Sequence, residues 1–236
     1  MAAPRYPIVF LVDVDNTLLD NDRIQDDIKE HLEREFGVEC RKRYWTIQEA
    51  LFVELGYRDY VGALQRYRIE HPNEVELLSM ASYLVNYPFG ERLYPGALDV
   101  LRQLSTWGRT VILSDGDVFF QPRKVERSGL AAAVDGHVLI YIHKEQSLDD
   151  VYRRYPADRY VLVDDKLRIL AAVKQVWGDR VTTVFPRQGQ FAREPVVAQY
   201  PAADITVSRI GDLLDLELDA FLANCTATPR SAKVTR

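Results

Sequence analysis

Two aspartates stand directly after the first apolar run of the sequence, at a spacing that could support metal or phosphoryl chemistry. Residues 8–12 are apolar and rich in β-branched side chains, which predicts a buried strand of a parallel sheet, and Asp13 and Asp15 follow this run. Two carboxylates this close repel each other unless a cation or a shared proton lies between them, and Mg²⁺ prefers such oxygen ligands. A turn or a helix cap uses the same residue types, so the pair alone leaves both interpretations open.

A second acidic pair, Asp164 and Asp165, follows another short apolar run at residues 160–163. By itself this pair is also compatible with a helix cap. In open α/β sheets, however, ligands bind at the carboxyl ends of the strands, so acidic pairs that end two parallel strands converge on one edge. Four carboxylates gathered there would be destabilising without a cation. Together the two pairs predict a divalent-metal site.

A serine at a third strand end is a candidate anion ligand. Ser114 ends the apolar run at residues 111–113 and is followed by Asp115 and Gly116. Its hydroxyl and the backbone N–H groups of this turn could hold an anion. A plain turn would have the same sequence, so this element gains weight only beside the acidic pairs.

A lysine is the candidate that balances the negative charge. Lys144 lies after the apolar run at residues 138–142, where one cation among several carboxylates would hold a nucleophile and a phosphate in place. Lys124 and Lys166 are alternatives. Only Lys144 lies at a predicted strand end between the serine run and the second acidic pair, so we favour it.

The elements that position these residues alternate between strands and helices after residue 93, whereas only helices are predicted between residues 20 and 93. Alternation at this length indicates parallel βαβ units with right-handed crossovers and helices on both faces. The predicted fold class is therefore α/β, a doubly wound, mainly parallel Rossmann-like sheet with an all-helical insert after the first strand. The predicted strands are 8–12, 110–113, 138–142, 160–163, 181–185 and 205–207, and the predicted helices are 22–36, 44–55, 59–70, 74–87, 97–107, 122–128, 148–155, 167–177 and 210–222.

This pattern divides the chain into a core of residues 1–20 and 93–225 and a helical insert of residues 21–92. Asp20 is expected to cap the first helix of the insert, and Gly37 to end it. Residues 226–236 are small, polar and basic, and we expect them to be disordered.

The composition limits the classes of partner. The 236 residues contain 30 Lys and Arg against 35 Asp and Glu, a net charge of −5, and the pI is about 5.5. An acidic chain has no broad attraction for nucleic acid or for an anionic membrane. The basic and aromatic segment at residues 41–45 is interpreted as a solvated turn. We therefore expect no nucleic-acid partner and no membrane partner, and the oligomeric state stays open.

Cysteine usage and the N-terminal residues indicate the compartment. The chain contains two cysteines, Cys40 and Cys225, far apart and without the partners that a disulfide framework or a zinc site requires. The apolar run at residues 8–12 is too short for a signal-peptide core or a membrane span. The expected location is the cytoplasm.

Taken in order, these residues resemble the four motifs of the haloacid dehalogenase-like hydrolase superfamily. The first motif is the run Asp13-Val14-Asp15-Asn16-Thr17, and Ser114, Lys144 and the pair Asp164-Asp165 follow in the order of the other three. The resemblance covers residues 8–222. The helical insert lies where the superfamily carries its type 1 cap, so the resemblance implies that residues 21–92 form such a cap.

The resemblance implies a division of roles among the acidic residues. Asp13 would be the nucleophile that forms an aspartyl-phosphate, and Asp15 the general acid that protonates the leaving oxygen and then activates water. Mg²⁺ would be the cofactor, bound by Asp13, by the backbone carbonyl of Asp15, by Asp164 and by Asp165, the last directly or through water.

The remaining motif residues are implied to bind the substrate. Ser114 and Lys144 would hold the oxygens of the transferring phosphoryl group, and Asp115 would contribute its backbone N–H. Thr17 would support the loop and its aspartates.

The function that the resemblance implies best is a Mg²⁺-dependent phosphatase acting on a small phosphorylated metabolite. Asp15 favours this reaction because a dehalogenase expels halide, which needs no proton. The alternatives are a phosphomutase, a haloacid dehalogenase-like hydrolase of the same fold, and a non-catalytic binding or regulatory member. Two positions depart from common family patterns: Glu145 replaces the proline often found after the motif lysine, and Asn16 stands where many members have glycine.

Overall fold

The sheet of the computed structural model, which describes residues 5–72 and 77–223, contains six strands. Their order is β3-β2-β1-β4-β5-β6, and every neighbouring pair is parallel. The prediction of a doubly wound, mainly parallel α/β sheet is confirmed. The strands are β1 (Tyr6–Val12), β2 (Arg109–Asp115), β3 (Val138–Tyr141), β4 (Ala157–Val163), β5 (Val181–Pro186) and β6 (Ile205–Val207).

Helices connect the strands. The α-helices are α1 (Asn21–Leu55), α2 (Tyr60–Glu70), α3 (Leu77–Asn86), α4 (Ala97–Trp107), α5 (Phe120–Arg127), α6 (Leu130–Ala133), α7 (Leu148–Arg154), α8 (Leu167–Trp177) and α9 (Leu218–Leu222). Short 3₁₀-helices cover Phe89–Arg92, Lys144–Gln146, Gly178–Arg180, Phe191–Arg193, Pro195–Gln199 and Ile210–Asp215.

The central strand β1 is buried on both faces, because side chains alternate between the two sides of a strand. Phe10 and Val12 belong to the hydrophobic cluster that includes residues of α4, α5 and α6. Val9 and Leu11 belong to the opposite cluster, which includes residues of α7 and α8. Helices on both faces therefore hold the strand whose end carries Asp13.

The first helix after β1 is broken at one residue. Gly37 has φ 86° and ψ 168°, a conformation that glycine adopts far more readily than other residues, and it divides α1 into two helical parts. The Asp20 side chain accepts a hydrogen bond from the Arg23 backbone N–H at 3.0 Å, so the predicted cap is confirmed. The interpretation of residues 41–45 as a solvated turn between two helices is wrong, since helix resumes directly after Gly37 and covers them.

The predicted helix at residues 210–222 is also wrong, because two helices separated by extended residues occupy this segment. A 3₁₀-helix covers Ile210–Asp215, Leu216 has an extended ψ of 142°, and α9 begins at Leu218. Gln103 of α4 donates its side-chain amide to the carbonyl of Leu216 at 3.1 Å, which directs that carbonyl away from a continuing helix.

The helical segment begins and ends at two connecting backbone segments that lie side by side. Leu19 and Leu93 form an antiparallel bridge. The Asp20 N–H donates to the Arg92 carbonyl at 2.7 Å, and the Tyr94 N–H donates to the Leu18 carbonyl at 2.9 Å. Both connections are thereby fixed beside the loop that carries the first motif.

Two further expectations concern membranes and the chain end. None of the helices in the described ranges combines the length and the apolar character that a membrane span requires. The expected disorder of residues 226–236 lies outside the described residues.

Candidate active site

Three buried aspartates meet at the carboxyl edge of the sheet. Val12 at the end of β1 is in register with Val163 at the end of β4, so Asp13, Asp164 and Asp165 emerge side by side. Each offers a carboxylate oxygen, and these atoms all lie within 4.8 Å of one another. The parallel pairing of the two strands therefore brings together residues that lie 151 and 152 positions apart in the sequence.

Asp165 has the least compensated charge of this group. Its side chain is fully buried, and neither carboxylate oxygen has a hydrogen-bond partner among the described residues. Burial raises the pKa of Asp165 well above its ordinary value, although Lys166 and Lys144 act in the opposite direction. Burial likewise raises the pKa of Asp164 to about 6, with Lys144 again opposing the shift. A buried carboxylate without hydrogen bonds is destabilising unless a cation binds it, so the donor set fits a divalent metal.

Lys144 is buried between two of the aspartates. Its ammonium group contacts Asp13 at hydrogen-bond distance and lies 2.6 Å from an oxygen of Asp164. It also donates to the Leu113 carbonyl at 3.3 Å. Burial alone would lower the pKa of Lys144, but the carboxylates of Asp13, Asp164 and Asp115 raise it well above its ordinary value. The lysine therefore stays charged beside the aspartate that the sequence identified as nucleophile.

Thr17 links the ends of β1 and β4. Its hydroxyl donates to Asp13 Oδ2 at 3.1 Å and accepts the backbone N–H of Asp165 at 3.0 Å. Both carboxylate oxygens of Asp13 thus have a donor, one from Thr17 and the other from Lys144.

Ser114 and Asp115 lie at the end of β2, next to the lysine. The Ser114 hydroxyl is buried and accepts a hydrogen bond from the side-chain amide of Gln121 at 2.9 Å. The Asp115 carboxylate accepts the backbone N–H of Lys144 at 2.7 Å, which positions the residue that carries the ammonium group. Burial raises the pKa of Asp115.

Asp15 lies apart from the three-carboxylate cluster and has a different partner. Lys124 of α5 donates to both Asp15 oxygens, at 2.7 and 2.9 Å, and to the Asn21 side chain at 3.1 Å. Sequence patterns indicated Lys124 only as an alternative to Lys144. They could not assign the Lys124–Asp15 pair, because this contact depends on which face of α5 meets the first motif.

Asn16 holds the first-motif loop in its shape. It has a positive φ of 59°, and its side-chain oxygen accepts the N–H groups of Asn21 and Asp22 at 3.0 and 3.1 Å. Gln188, which follows β5, donates to the backbone carbonyls of Asn16 and Thr17 at 3.0 and 2.7 Å. Asn16 could be recognised as unusual from the sequence, but no local pattern indicated that Gln188 supports it.

Comparison with known proteins identifies the class to which this fold and site belong. A family profile described as haloacid dehalogenase-like hydrolase matches residues 9–176, more than half of the chain. The chain therefore belongs to the haloacid dehalogenase-like hydrolases, and the resemblance seen in the sequence is confirmed. No curated protein matches the sequence.

Solved structures place the chain among proteins of the same fold. A protein from Burkholderia xenovorans LB400 that is also described as a haloacid dehalogenase-like hydrolase has a crystal structure. It is 59% identical to this chain, with a TM-score of 0.87 over 92% of this chain and 99% of the other. The Bacillus subtilis hydrolase YfnB, solved bound to magnesium, is 16% identical, with a TM-score of 0.60 over 90% of this chain and 98% of its own. The L-2-haloacid dehalogenase of Xanthobacter autotrophicus is 19% identical, with a TM-score of 0.57 over 93% and 99% of the two chains. The last two likenesses concern the fold alone.

Proposed function

We propose that this hydrolase is a Mg²⁺-dependent phosphatase that acts on a small phosphomonoester through an aspartyl-phosphate. The observation that carries the proposal is the Asp165 carboxylate, which is fully buried and has no hydrogen-bond partner among the described residues. Halide displacement at carbon does not require a cation beside the nucleophile. Phosphoryl transfer does, because an anionic nucleophile must approach an anionic substrate.

The metal would be held by Asp13, Asp164 and Asp165, with the backbone carbonyl of Asp15 as a further oxygen ligand. When bound, Mg²⁺ would supply positive charge that screens the nucleophile from the phosphoryl oxygens. The oxygen-only donor set and the burial of all three side chains support Mg²⁺ over softer metals, which prefer nitrogen and sulfur ligands.

Asp13 is the proposed nucleophile. Its carboxylate attacks phosphorus as the ester P–O bond breaks, and the leaving oxygen takes the bonding electrons together with a proton from Asp15. Water then attacks the aspartyl-phosphate, gives a proton to Asp15 and releases inorganic phosphate and free Asp13. Thr17 and Lys144 support this role because they fix both oxygens of Asp13 before substrate arrives.

Asp15 is the proposed proton carrier. It is more accessible than the cluster aspartates, with 26% of its side chain exposed, and Lys124 holds it in place. Ser114, Lys144 and the backbone N–H of Asp115 are proposed to bind the phosphoryl oxygens, since Ser114 and Asp115 end β2 and Lys144, which follows β3, contacts both Asp115 and Asp13.

The wider assignments belong to the same proposal. Residues 1–20 and 93–225 are proposed as the core and residues 21–92 as a cap over the site, supported by the adjacent entry and exit of the helical segment at Leu19 and Leu93. The substrate is a small phosphorylated metabolite rather than a nucleic acid or a membrane component. A cytoplasmic location rests on the number of cysteines.

The test is release of inorganic phosphate from an aryl phosphate and a panel of metabolite phosphates. We expect release that requires Mg²⁺, stops with chelator and is lost in Asp13→Asn. The matched control is Asp99→Asn, which removes an exposed carboxylate that pairs with Arg102 and belongs to no part of the site, and it should retain full activity. Halide release from 2-chloropropionate is measured in parallel, and metal-independent dehalogenation without phosphate release would overturn the proposal.

A further inference from the structure

A cavity of about 400 Å³ opens beside the catalytic cluster, and it is large enough for the non-reacting part of a small substrate. Its lining includes Asp115 and Lys166, which flank the reacting end of the site. Asp115 accepts the backbone N–H of Lys144, and Lys166 follows Asp165 directly in sequence. The cavity therefore lies next to the residues that are proposed to bind the phosphoryl group.

Three aromatic side chains from separate parts of the chain contribute to this lining. Phe52 comes from the end of α1, Phe191 from the 3₁₀-helix after β5, and Tyr200 from the end of the following 3₁₀-helix. Each is only partly buried, so ring surface remains accessible. Apolar residues such as Val197 fill the spaces between them. Three aromatic rings around one small cavity favour a flat apolar ligand, because aromatic groups gain attraction from stacked and edge-on contacts.

Cations hold two of these rings in place. The Lys166 ammonium lies 4.9 Å from the ring centroid of Phe191, and the Arg58 guanidinium lies 4.9 Å from that of Phe52. Contacts of this kind restrict the rings before a ligand binds. The aromatic lining is thus organised in advance, which lowers the entropic penalty of binding.

The charges in the cavity are largely compensated. Arg168 pairs with Glu145 at 2.8 Å, and Asp115 is occupied by the backbone of Lys144. Lys166 has no ion pair with a carboxylate within residues 5–72 and 77–223, but its charge interacts favourably with those of Asp165 and Asp13. No surplus of positive charge therefore lies deep in the cavity to attract a second phosphate.

We propose that the substrate is a phosphomonoester whose leaving group carries an aromatic or heteroaromatic ring, bound in this cavity between Phe52, Phe191 and Tyr200. The proposal rests on the phosphatase function proposed above and specifies its substrate class. The ring contributes binding remote from the reacting phosphorus, and that binding energy orients the ester toward Asp13.

The test compares esters that carry an aromatic ring with esters that lack one. Adenosine 5′-monophosphate and ribose 5-phosphate share the same primary phosphate ester, and benzyl and n-propyl phosphate form a second pair. We expect kcat/KM to be higher for the ring-bearing member of both pairs, by roughly ten-fold, the advantage typical of one good aromatic contact. The variants Phe191→Ala and Phe52→Ala should remove most of this preference by lowering kcat/KM for the ring-bearing member of each pair.

Two controls separate the ring from general damage. Phe191→Tyr keeps a ring and should keep the preference. Val176→Ala truncates an exposed side chain of α8 that does not line the cavity, and it should change neither pair. Lys166→Met tests the competing possibility that a second anion binds here. A preference for bisphosphates over ring-bearing esters that this variant abolishes would overturn the proposal.

Binding measurements keep the inference distinct from the reaction. Titration calorimetry compares benzylphosphonate with n-propylphosphonate, neither of which can be hydrolysed as an ester. Tighter binding of the benzyl compound that disappears in Phe191→Ala sustains the aromatic subsite even if no phosphate release is found, in which case only the proposed reaction fails. Equal affinity of the two phosphonates, or equal kcat/KM within both ester pairs, overturns the subsite itself.

Discussion

Replacing Asp165 by asparagine should stabilise the metal-free protein at neutral pH and remove its response to Mg²⁺. The substitution keeps the shape of the side chain and leaves the backbone N–H that donates to Thr17. It deletes a charge that is fully buried and has no hydrogen-bond partner among the described residues. The same carboxylate that destabilises the metal-free chain is the one that a metal would use.

The direction of the pH dependence of stability follows from the pKa values of Asp164 and Asp165. Asp164 has a pKa of about 6 in the folded protein against an ordinary value of 3.8, and that of Asp165 is raised further in the same direction. A folded state that binds protons more tightly than the unfolded state loses stability as pH rises through this interval. A shift of two units corresponds to about 3 kcal/mol. These two groups should therefore make the metal-free protein less stable at pH 7.5 than at pH 5.

The magnitudes can be measured by thermal unfolding with Mg²⁺ or with chelator. We expect metal-free Asp165→Asn to be about 2 kcal/mol more stable than the parent at pH 7.5, the scale of an uncompensated buried charge, which is roughly 4–8 °C in Tm for a chain of this size. Mg²⁺ at 100 times its Kd should stabilise the parent by about 2.7 kcal/mol and the variant by almost nothing. The control Asp99→Asn should respond to Mg²⁺ like the parent.

Two results would refute this reasoning. An equal rise in Tm with Mg²⁺ for the parent and for Asp165→Asn would mean that the metal binds elsewhere. Metal-free Asp165→Asn that is less stable than the parent at pH 7.5 would mean that the carboxylate has a stabilising partner in solution.

Three further substitutions test the supports of the site. Lys124→Met leaves Asp15 without its partner, and we expect about 2 kcal/mol of destabilisation in denaturant titrations and a lower kcat, with Lys124→Arg closer to the parent. Thr17→Val removes the two side-chain hydrogen bonds of Thr17, with Asp13 and with Asp165, and should destabilise by about 1–3 kcal/mol and weaken Mg²⁺ binding in calorimetry; an unchanged affinity would contradict the linking role. Gly189→Ala would place a Cβ, at a positive φ of 73°, against the Asn16 side chain, so we expect at least about 1 kcal/mol of destabilisation, and an unchanged Tm would show that the loop can shift freely.

The sequence was sufficient for the sheet and for the convergence of Asp13, Asp164 and Asp165, because both depend on regular geometry, whereas Asp15 lies apart from that cluster. Apolar runs of five residues or fewer define buried parallel strands, and the ends of parallel strands share one edge. Asp13 and Asp164 could therefore be placed together without any knowledge of the packing. Gly37 and Asp20 were equally informative, since backbone conformation and capping are local properties.

Contacts that depend on how helices rotate against the sheet could not be predicted. Lys124 meets Asp15 because of the face that α5 turns toward the first motif, and Gln188 reaches Asn16 from a loop more than 170 positions away. The break after Asp215 has a similar origin, because a glutamine of α4 takes the carbonyl of Leu216. These contacts depend on long-range packing, which no local sequence pattern indicates.

The antiparallel bridge between Leu19 and Leu93 has a consequence for how the chain folds. It closes the helical segment into a loop with fixed ends, and the entropy of closing a flexible loop grows only with the logarithm of its length, by about 0.6 kcal/mol per doubling. Segments of very different length could therefore occupy this position without destabilising the sheet.

The long sequence separation between paired strands affects the folding rate more strongly than it affects stability. Val9 of the central strand pairs with Arg109 on one side, 100 positions further along, and with Tyr160 on the other. Pairings this distant in sequence form slowly. Asp13 acquires its partner carboxylates when β1 pairs with β4, and it acquires its lysine only when β2 has also paired with both β1 and β3, so a partly folded chain has no complete site with which to bind metal or substrate.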